Sequence, residues 1–544
     1  VTGRTRLLLL LALSGGALLV GVELLVTAVA LPSIITDLAG WTELRRASWV
    51  VNGYLLAYIA VMPLAGRAAD RFGLPRLFML ALAAFAVGSA LAGAAQSLDE
   101  LVAARILQGI GGGAIVPLAT AGASLLYEGD GRARALGIVG ACTFLGMAIG
   151  PFAGATVIQL FDFSAAFARA GETGSLAAAL LVPSWRWIFY LGAPLAVVAL
   201  LFVWAAAPGW PSRRERGSVD ALGAGLFTAA IAGGLLALTT LGEGGQATAG
   251  GTPADPGLLN PALYATIALA CGTLAAIRFS RARDPFLDLR AFRNRVFSSA
   301  VLVSLLTGYG LATAIIGAAV FVDRVRYAGA DEQQVVLGGL ALATAAGALG
   351  SGFALRLLGV VTLSLVGLGL AVVGLVLMAG LAPDSPLATL LAGAGLFGLG
   401  FGLTVTPRST AAVESLGPKA FGMASAAVTV ARMAGMAVGL AVLTGFGSNR
   451  IQALSVVLTD QAARDAVLPA SLRGRPLEDG LVVEVLERWA SDQAAAILAS
   501  LFLVAAVVMA VAVIPTLAMR ARSFRPPERA TITTADGSQH GRAG

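Results

Sequence analysis

Histidine, cysteine and lysine are nearly absent from these 544 residues: His540, Cys142 with Cys271, and Lys419 are the complete set. With one imidazole, in a polar tail, any proton relay has to run through a carboxylate. The two cysteines fall in different apolar segments, so neither a disulfide framework nor a metal site is expected. No G-x-x-x-x-G-K-[ST] loop occurs, which leaves direct ATP driving unsupported. Nor is there a histidine dyad or a reactive-site cysteine, so a membrane-embedded enzyme is only a remote alternative. Charge is scarce as well, at 12%, against about 25% in soluble domains.

What is abundant is apolar sequence, 58% of the chain with mean hydropathy +0.85. It lies in long runs, each of about 20 residues or more, the length that crosses the hydrocarbon layer as a helix. An all-α membrane protein follows, because a helix bonds all of its own backbone groups away from water. About fourteen spans are expected, near 7–36, 47–67, 76–96, 99–126, 133–161, 185–207, 219–242, 261–280, 297–322, 333–357, 359–381, 386–414, 420–447 and 487–519. The first is too long for a cleaved signal segment. The 68 glycines suit close contact between membrane helices.

The net charge of +7 comes from arginines that favour one set of loops. Arg4, Arg67, Arg71, Arg76, Arg132, Arg134, Arg213, Arg214, Arg281, Arg290 and Arg520 belong to it, and few arginines occupy the alternate loops. Basic loops stay inside, so both termini are expected in the cytoplasm and nucleic acid is excluded as a partner. Two outer segments are longer than the rest, 162–184 and 449–486. In the second, Val482, Val483, Leu486 and Trp489 recur at helical spacing, as in an ordered continuation of the last span; a partner-docking surface is the alternative. The tail 521–544 is polar and expected to be disordered.

Three stretches carry more specific patterning. Gly66-Arg67-Ala68-Ala69-Asp70-Arg71-Phe72-Gly73, followed by Arg76, reads as a tight turn after the second span, with Asp70 placed to face a helix N-terminus. Gly352, Arg356 and Gly359 repeat its glycine spacing without the acid. Arg105-Ile106-Leu107-Gln108-Gly109 puts a cation inside the fourth span, where it costs a few kcal/mol to insert. In the fifth, Gly146, Gly150 and Gly154 clear one helix face and Pro151 bends it.

These stretches resemble, respectively, the signature loop, the fourth-helix arginine motif and the exporter-associated motif of the major facilitator superfamily. Trp185-Arg186-Trp187-Ile188-Phe189-Tyr190 and Asp284-Pro285-Phe286-Leu287-Asp288-Leu289-Arg290 look like its fourteen-span drug:proton antiporter (DHA2-type) branch. Ala57-Tyr58-Ile59-Ala60-Val61-Met62-Pro63-Leu64 is similar to mycobacterial lipid exporters. The resemblance implies two six-helix bundles, 1–208 and 297–520, joined by two additional helices within 209–296, in a bacterial inner membrane. It also implies proton-coupled export of lipophilic drugs or amphipaths by alternating access. Export of triacylglyceride-type lipids is the alternative. The proton gradient takes the place of a cofactor, and a monomer is expected.

Glu23 stands midway along the first span, where the resembled branch usually has aspartate. Burial favours the protonated acid and a nearby cation the ionised one, so such a group can gain and lose a proton between conformations. Arg432 in the thirteenth span and Arg408 in the twelfth are the expected partners across the halves, with Arg105 a further coupling candidate. Cavity candidates are Asn52, Tyr54, Gln108, Phe144 and Tyr309.

Overall fold

The computed structural model describes residues 3–39, 49–171, 175–206, 210, 220–244, 260–282, 285, 288–417, 420–476 and 479–520. The tail expected to be disordered lies outside them. Among the described residues all regular structure is helical. The long helices are α1 (Gly3–Ile34), α2 (Trp49–Phe72), α3 (Leu74–Ala94), α4 (Leu98–Leu126), α5 (Gly129–Leu160) and α6 (Arg186–Ala206), then α7 (Ala221–Gly244) and α8 (Pro261–Arg281). They continue with α9 (Arg295–Val320), α10 (Ala330–Ala379), α11 (Leu387–Leu416), α12 (Phe421–Thr459) and α13 (Gly480–Val511).

Twelve helices among the described residues are long and apolar enough to cross a membrane, and Leu222–Leu238 within α7 is a shorter apolar segment. One of the twelve, α10, has 50 residues but breaks at Gly359, whose φ is 72° and ψ 170°. At 1.5 Å per residue it measures about 75 Å, against about 30 Å of hydrocarbon. That length serves two crossings, with glycine taking the left-handed turn between them.

Helices α1–α6 pack among themselves, as do α9–α13, while α7 and α8 pair with each other and α7 leans on α2 and α12. The two groups meet where α2 crosses α12 and α5 crosses α10. Both crossings are built from the repeated glycine pattern. A methyl group on Gly66 would lie 2.5 Å from the Gly422 carbonyl oxygen, and one on Gly352 would lie 2.9 Å from the Ala133 carbonyl oxygen. Seven residues on from each, Gly73 (φ 92°) and Gly359 (φ 72°) turn the chain. The first glycine of each pair is therefore a helix-packing residue and only the second makes the turn. This corrects the reading of Gly66 as part of a tight turn.

By the alternation of helix direction, these features share one end of the bundle, the end bearing Gly73. There the two groups are also joined by ion pairs, Arg132 to Glu414 at 3.5 Å and Arg356 to Asp130 at 3.8 Å. The guanidinium of Arg134 lies 5.6 Å from the Phe353 ring centre, and Ser425 donates to the Pro117 carbonyl at 3.1 Å. In this structure the bundle is closed at the Gly73 end.

At the opposite end Trp185 and Arg186 tie α6 down. Trp185 Nε1 donates to Asp37 at 3.0 Å, and Arg186 donates to the carbonyls of Gly93, at 2.9 Å, and Ala95. In the segment 449–486, α12 runs on to Thr459 and α13 begins at Gly480. Val457, Leu468, Leu472, Val482 and Leu486 form its small core, with Trp489 packed against it. Of the four residues at helical spacing, Val482, Leu486 and Trp489 belong to this core, while Val483 is exposed.

Candidate functional site

The site begins with a contact between two backbones. On α1, a methyl on Gly21 would fall 2.1 Å from the Thr143 carbonyl oxygen of α5. On α5, one on Gly146 would fall 2.2 Å from the Leu18 carbonyl oxygen, and one on Gly150 would fall 2.7 Å from that of Val22. Small residues let membrane helices approach this closely and gain dispersion contacts. The glycine pattern of the fifth span thus seats α1 at the turn just before Glu23. Pro151 and Gly154 continue the pattern and are buried.

Glu23, 3% exposed, pairs with Arg105, 1% exposed, which is carried by α4. Arg105 Nη1 donates to a Glu23 carboxylate oxygen and also to Gln108 Oε1. Its Nε donates to the Val50 carbonyl at 3.1 Å. Gln108 Nε2 donates to Ser89 Oγ at 2.6 Å, and Thr27 Oγ1 donates to Glu23 at 3.4 Å. The guanidinium carbon lies 4.2 Å from the Tyr54 ring centre and 5.4 Å from that of Phe189. Glu23, Arg105, Gln108, Thr27 and Ser89 are joined by hydrogen bonds, as a charge away from water requires, while Tyr54 offers its ring face and its buried hydroxyl has no hydrogen-bond partner among the described residues. Removing one partner of such a pair costs about 3–5 kcal/mol, because the other charge is left uncompensated.

The expected partnership of Glu23 with Arg432 or Arg408 is therefore corrected: the carboxylate is held by Arg105 within its own group of helices. Arg408 donates instead to Thr307, with its guanidinium carbon 4.9 Å from the Phe401 ring centre. Arg432 lies 5.7 Å from the Phe144 ring centre and makes no hydrogen bond or ion pair with a described residue. Both arginines line a cavity between the two groups of helices, together with Thr120, Thr143, Phe144, Ser409 and Thr429. Its volume is about 40 Å³, space for a few waters.

Of the cavity candidates, Phe144 lines this space and a second, apolar one bounded by Met147, Leu311 and Leu340. Gln108 and Tyr54 belong to the Glu23–Arg105 cluster instead. Tyr309 is buried in the core of the second group, and Asn52 is half-buried; neither lines these two cavities. In the switch segment, Arg71 sits 5.7 Å from the Phe72 ring centre and Arg76 is exposed, while the Asp70 side chain lies outside the described residues. Thr27 and Ser89 were missed, although Thr27 stands one helical turn from Glu23. Among the described residues no group of three or more His, Cys, Asp or Glu converges on a metal position.

A family model described as Major Facilitator Superfamily matches residues 13–440. The chain is 33% identical over 479 residues to a triacylglyceride transporter of Mycolicibacterium hassiacum, covering 85% of this chain and 83% of that one. It is 31% identical to one of Mycolicibacterium smegmatis, covering 86% and 80%. Among solved structures, it resembles a bacterial homologue of the human lysosomal transporter Spinster, inward-facing and unoccupied. The TM-score is 0.57 at 18% identity, over 96% of this chain and 99% of that one. The proton:xylose symporter XylE follows at TM-score 0.52 and 15% identity, over 94% and 96%. A matched model over most of the length, relatives above 30% identity and a shared fold converge on one conclusion: the chain is a multi-pass membrane transporter and belongs to the Major Facilitator Superfamily.

Proposed function

We propose that this transporter exports lipids or lipid-like amphipaths by alternating access, driven by proton entry through Glu23. The observation that carries the coupling is the buried Glu23–Arg105 pair, seated by the α1–α5 glycine contact. Protonating Glu23 breaks the pair and frees α1 from its charge attachment to α4. Such a step links proton binding to a change in helix packing. The closed Gly73 end supplies one limit of the cycle, and its exposed cross-group ion pairs are weak enough to open.

The lipid reading is supported by relatives that bear the name triacylglyceride transporter; lipophilic drugs are the other substrate class. We place two six-helix bundles at 1–208 and 297–520, with two additional helices in 209–296. Fourteen spans result when α10 counts as two and α7 crosses alongside α8. This arrangement suits the DHA2-type branch in a bacterial inner membrane, with both termini cytoplasmic.

Proteoliposomes separate the substrates. Purified chain should move a fluorescent triacylglyceride analogue to acceptor vesicles faster under an imposed pH gradient. Gradient-driven ethidium transport with no lipid movement would overturn the lipid reading.

A further inference from the structure

We infer that Arg408 and Arg432 form a binding site for the anionic head group of an amphipathic lipid. The inference rests on the proposed lipid export and narrows its substrate class. The two guanidinium groups come from neighbouring helices, α11 and α12, and line one cavity. Arg408 is 1% exposed and Arg432 9%. The Nε of each is buried and has no hydrogen-bond partner. Among the described residues no carboxylate lines the cavity, and Glu23 is engaged by Arg105.

Guanidinium keeps its charge under all working conditions. Two such charges away from water, without a counter-charge, are costly unless something anionic enters beside them. The arginines are the donors that face the space: Ser409 also borders it, while the hydroxyls of Thr120, Thr143 and Thr429 donate to the carbonyls of Val116, Val139 and Ser425 in their own helices. Beyond Phe144 the second cavity is apolar, lined by Met147, Leu311, Ile315, Leu337 and Leu340. A head-and-tail ligand would follow this order, with charge at the arginines and acyl chain past Phe144, once the helices part there, since the second space is about 10 Å³ in this structure. A neutral acylglycerol would supply ester carbonyls as acceptors but no counter-charge. The shared chemistry is a phosphate or carboxylate carried on an acyl chain.

The test is binding to the full chain in nanodiscs of neutral phosphatidylcholine, read from the fluorescence of labelled lipids without any transport step. The probes are phosphatidate, oleate, diacylglycerol and inorganic phosphate, against wild type, Arg432→Gln, Arg432→Lys and Arg408→Gln. Wild type should bind phosphatidate or oleate at least about tenfold more tightly than diacylglycerol, the scale of a charge-assisted hydrogen bond. Arg432→Gln and Arg408→Gln should lose that preference, and Arg432→Lys should keep part of it. Preference for phosphatidate assigns a phosphorylated head group, and preference for oleate a carboxylate; either supports the site. Equal binding of charged and neutral lipid overturns it, as does a preference that both glutamine variants retain. Inorganic phosphate binding as tightly as phosphatidate overturns the lipid part. Charge-selective binding with no lipid flux in proteoliposomes would sink the export reading while leaving the site intact.

Discussion

Glu23 and Arg105 meet inside one six-helix group, not across the two, and this relationship changes what the buried charges can do. A carboxylate held across the halves would break its pair whenever they separate. Held within one group, it responds first to protonation and to the packing of α1 on α5. The arginines of the other group are left to the cavity.

Breaking the pair from the cationic side tests its structural weight. Arg105→Ala should destabilise the chain by about 3–5 kcal/mol, as expected for an uncompensated buried charge. Adding Glu23→Gln to Arg105→Ala should recover part of the loss, read from thermal unfolding in detergent. Strict additivity would show that the two groups do not interact.

The seating of α1 is open to test at glycines. Gly146→Ala should cost about 1–3 kcal/mol by overpacking, since its methyl would meet the Leu18 carbonyl oxygen at 2.2 Å. Gly15→Ala, on the same α1 helix, should be neutral in both stability and flux, because nothing lies within 4 Å of its methyl. Equal effects at the two positions would contradict the close contact.

Closure of the Gly73 end depends on Arg132–Glu414 and Arg356–Asp130. Reversing both arginines to glutamate should lower stability by no more than about 1 kcal/mol per pair. It should speed labelling of Ser409→Cys, at the cavity wall, in a background with Cys142 and Cys271 replaced. An unchanged labelling rate would show that the pairs do not hold that end shut.

The outer extension has its own pH response. Asp479 caps α13 by accepting from Leu481 N–H and receives Arg475, which holds its carboxyl below the ordinary 3.8. A depressed carboxyl contributes stability that is present above the ordinary value and disappears as pH falls through the lower folded one. Hydrogen exchange at Leu481 and Val483 should therefore stay slow at neutral pH and accelerate in Asp479→Ala. Unaltered exchange in that variant would remove the cap from the account.

Much of this was legible in the chain itself, and the reason is the period of the signal. Apolar runs mark spans because a bilayer admits little else, and the Gly66–Gly73 and Gly352–Gly359 spacing marks both turns. The glycines of the fifth span announced a close contact without saying which helix they touch. Arg105, Gln108 and Glu23 stood out as polar residues within apolar spans, whereas Thr27, one turn from Glu23, was missed. Arg105 with Gln108 at i,i+3 and Glu23 with Thr27 at i,i+4 were two half-sites on helix faces. Joining them requires the rotation of α1 against α4, set by packing over the whole length of both helices. The same information decides that Gln108 and Tyr54 serve the ion pair while Phe144 reaches the cavity.

Proton-coupled lipid movement in proteoliposomes carrying Glu23→Gln addresses the central claim most directly. Wild-type flux of labelled lipid should rise when a pH gradient is imposed and should carry protons with it. The variant should insert and fold, yet show one flux rate with or without the gradient and no accompanying proton movement. Full gradient dependence in Glu23→Gln would contradict the account.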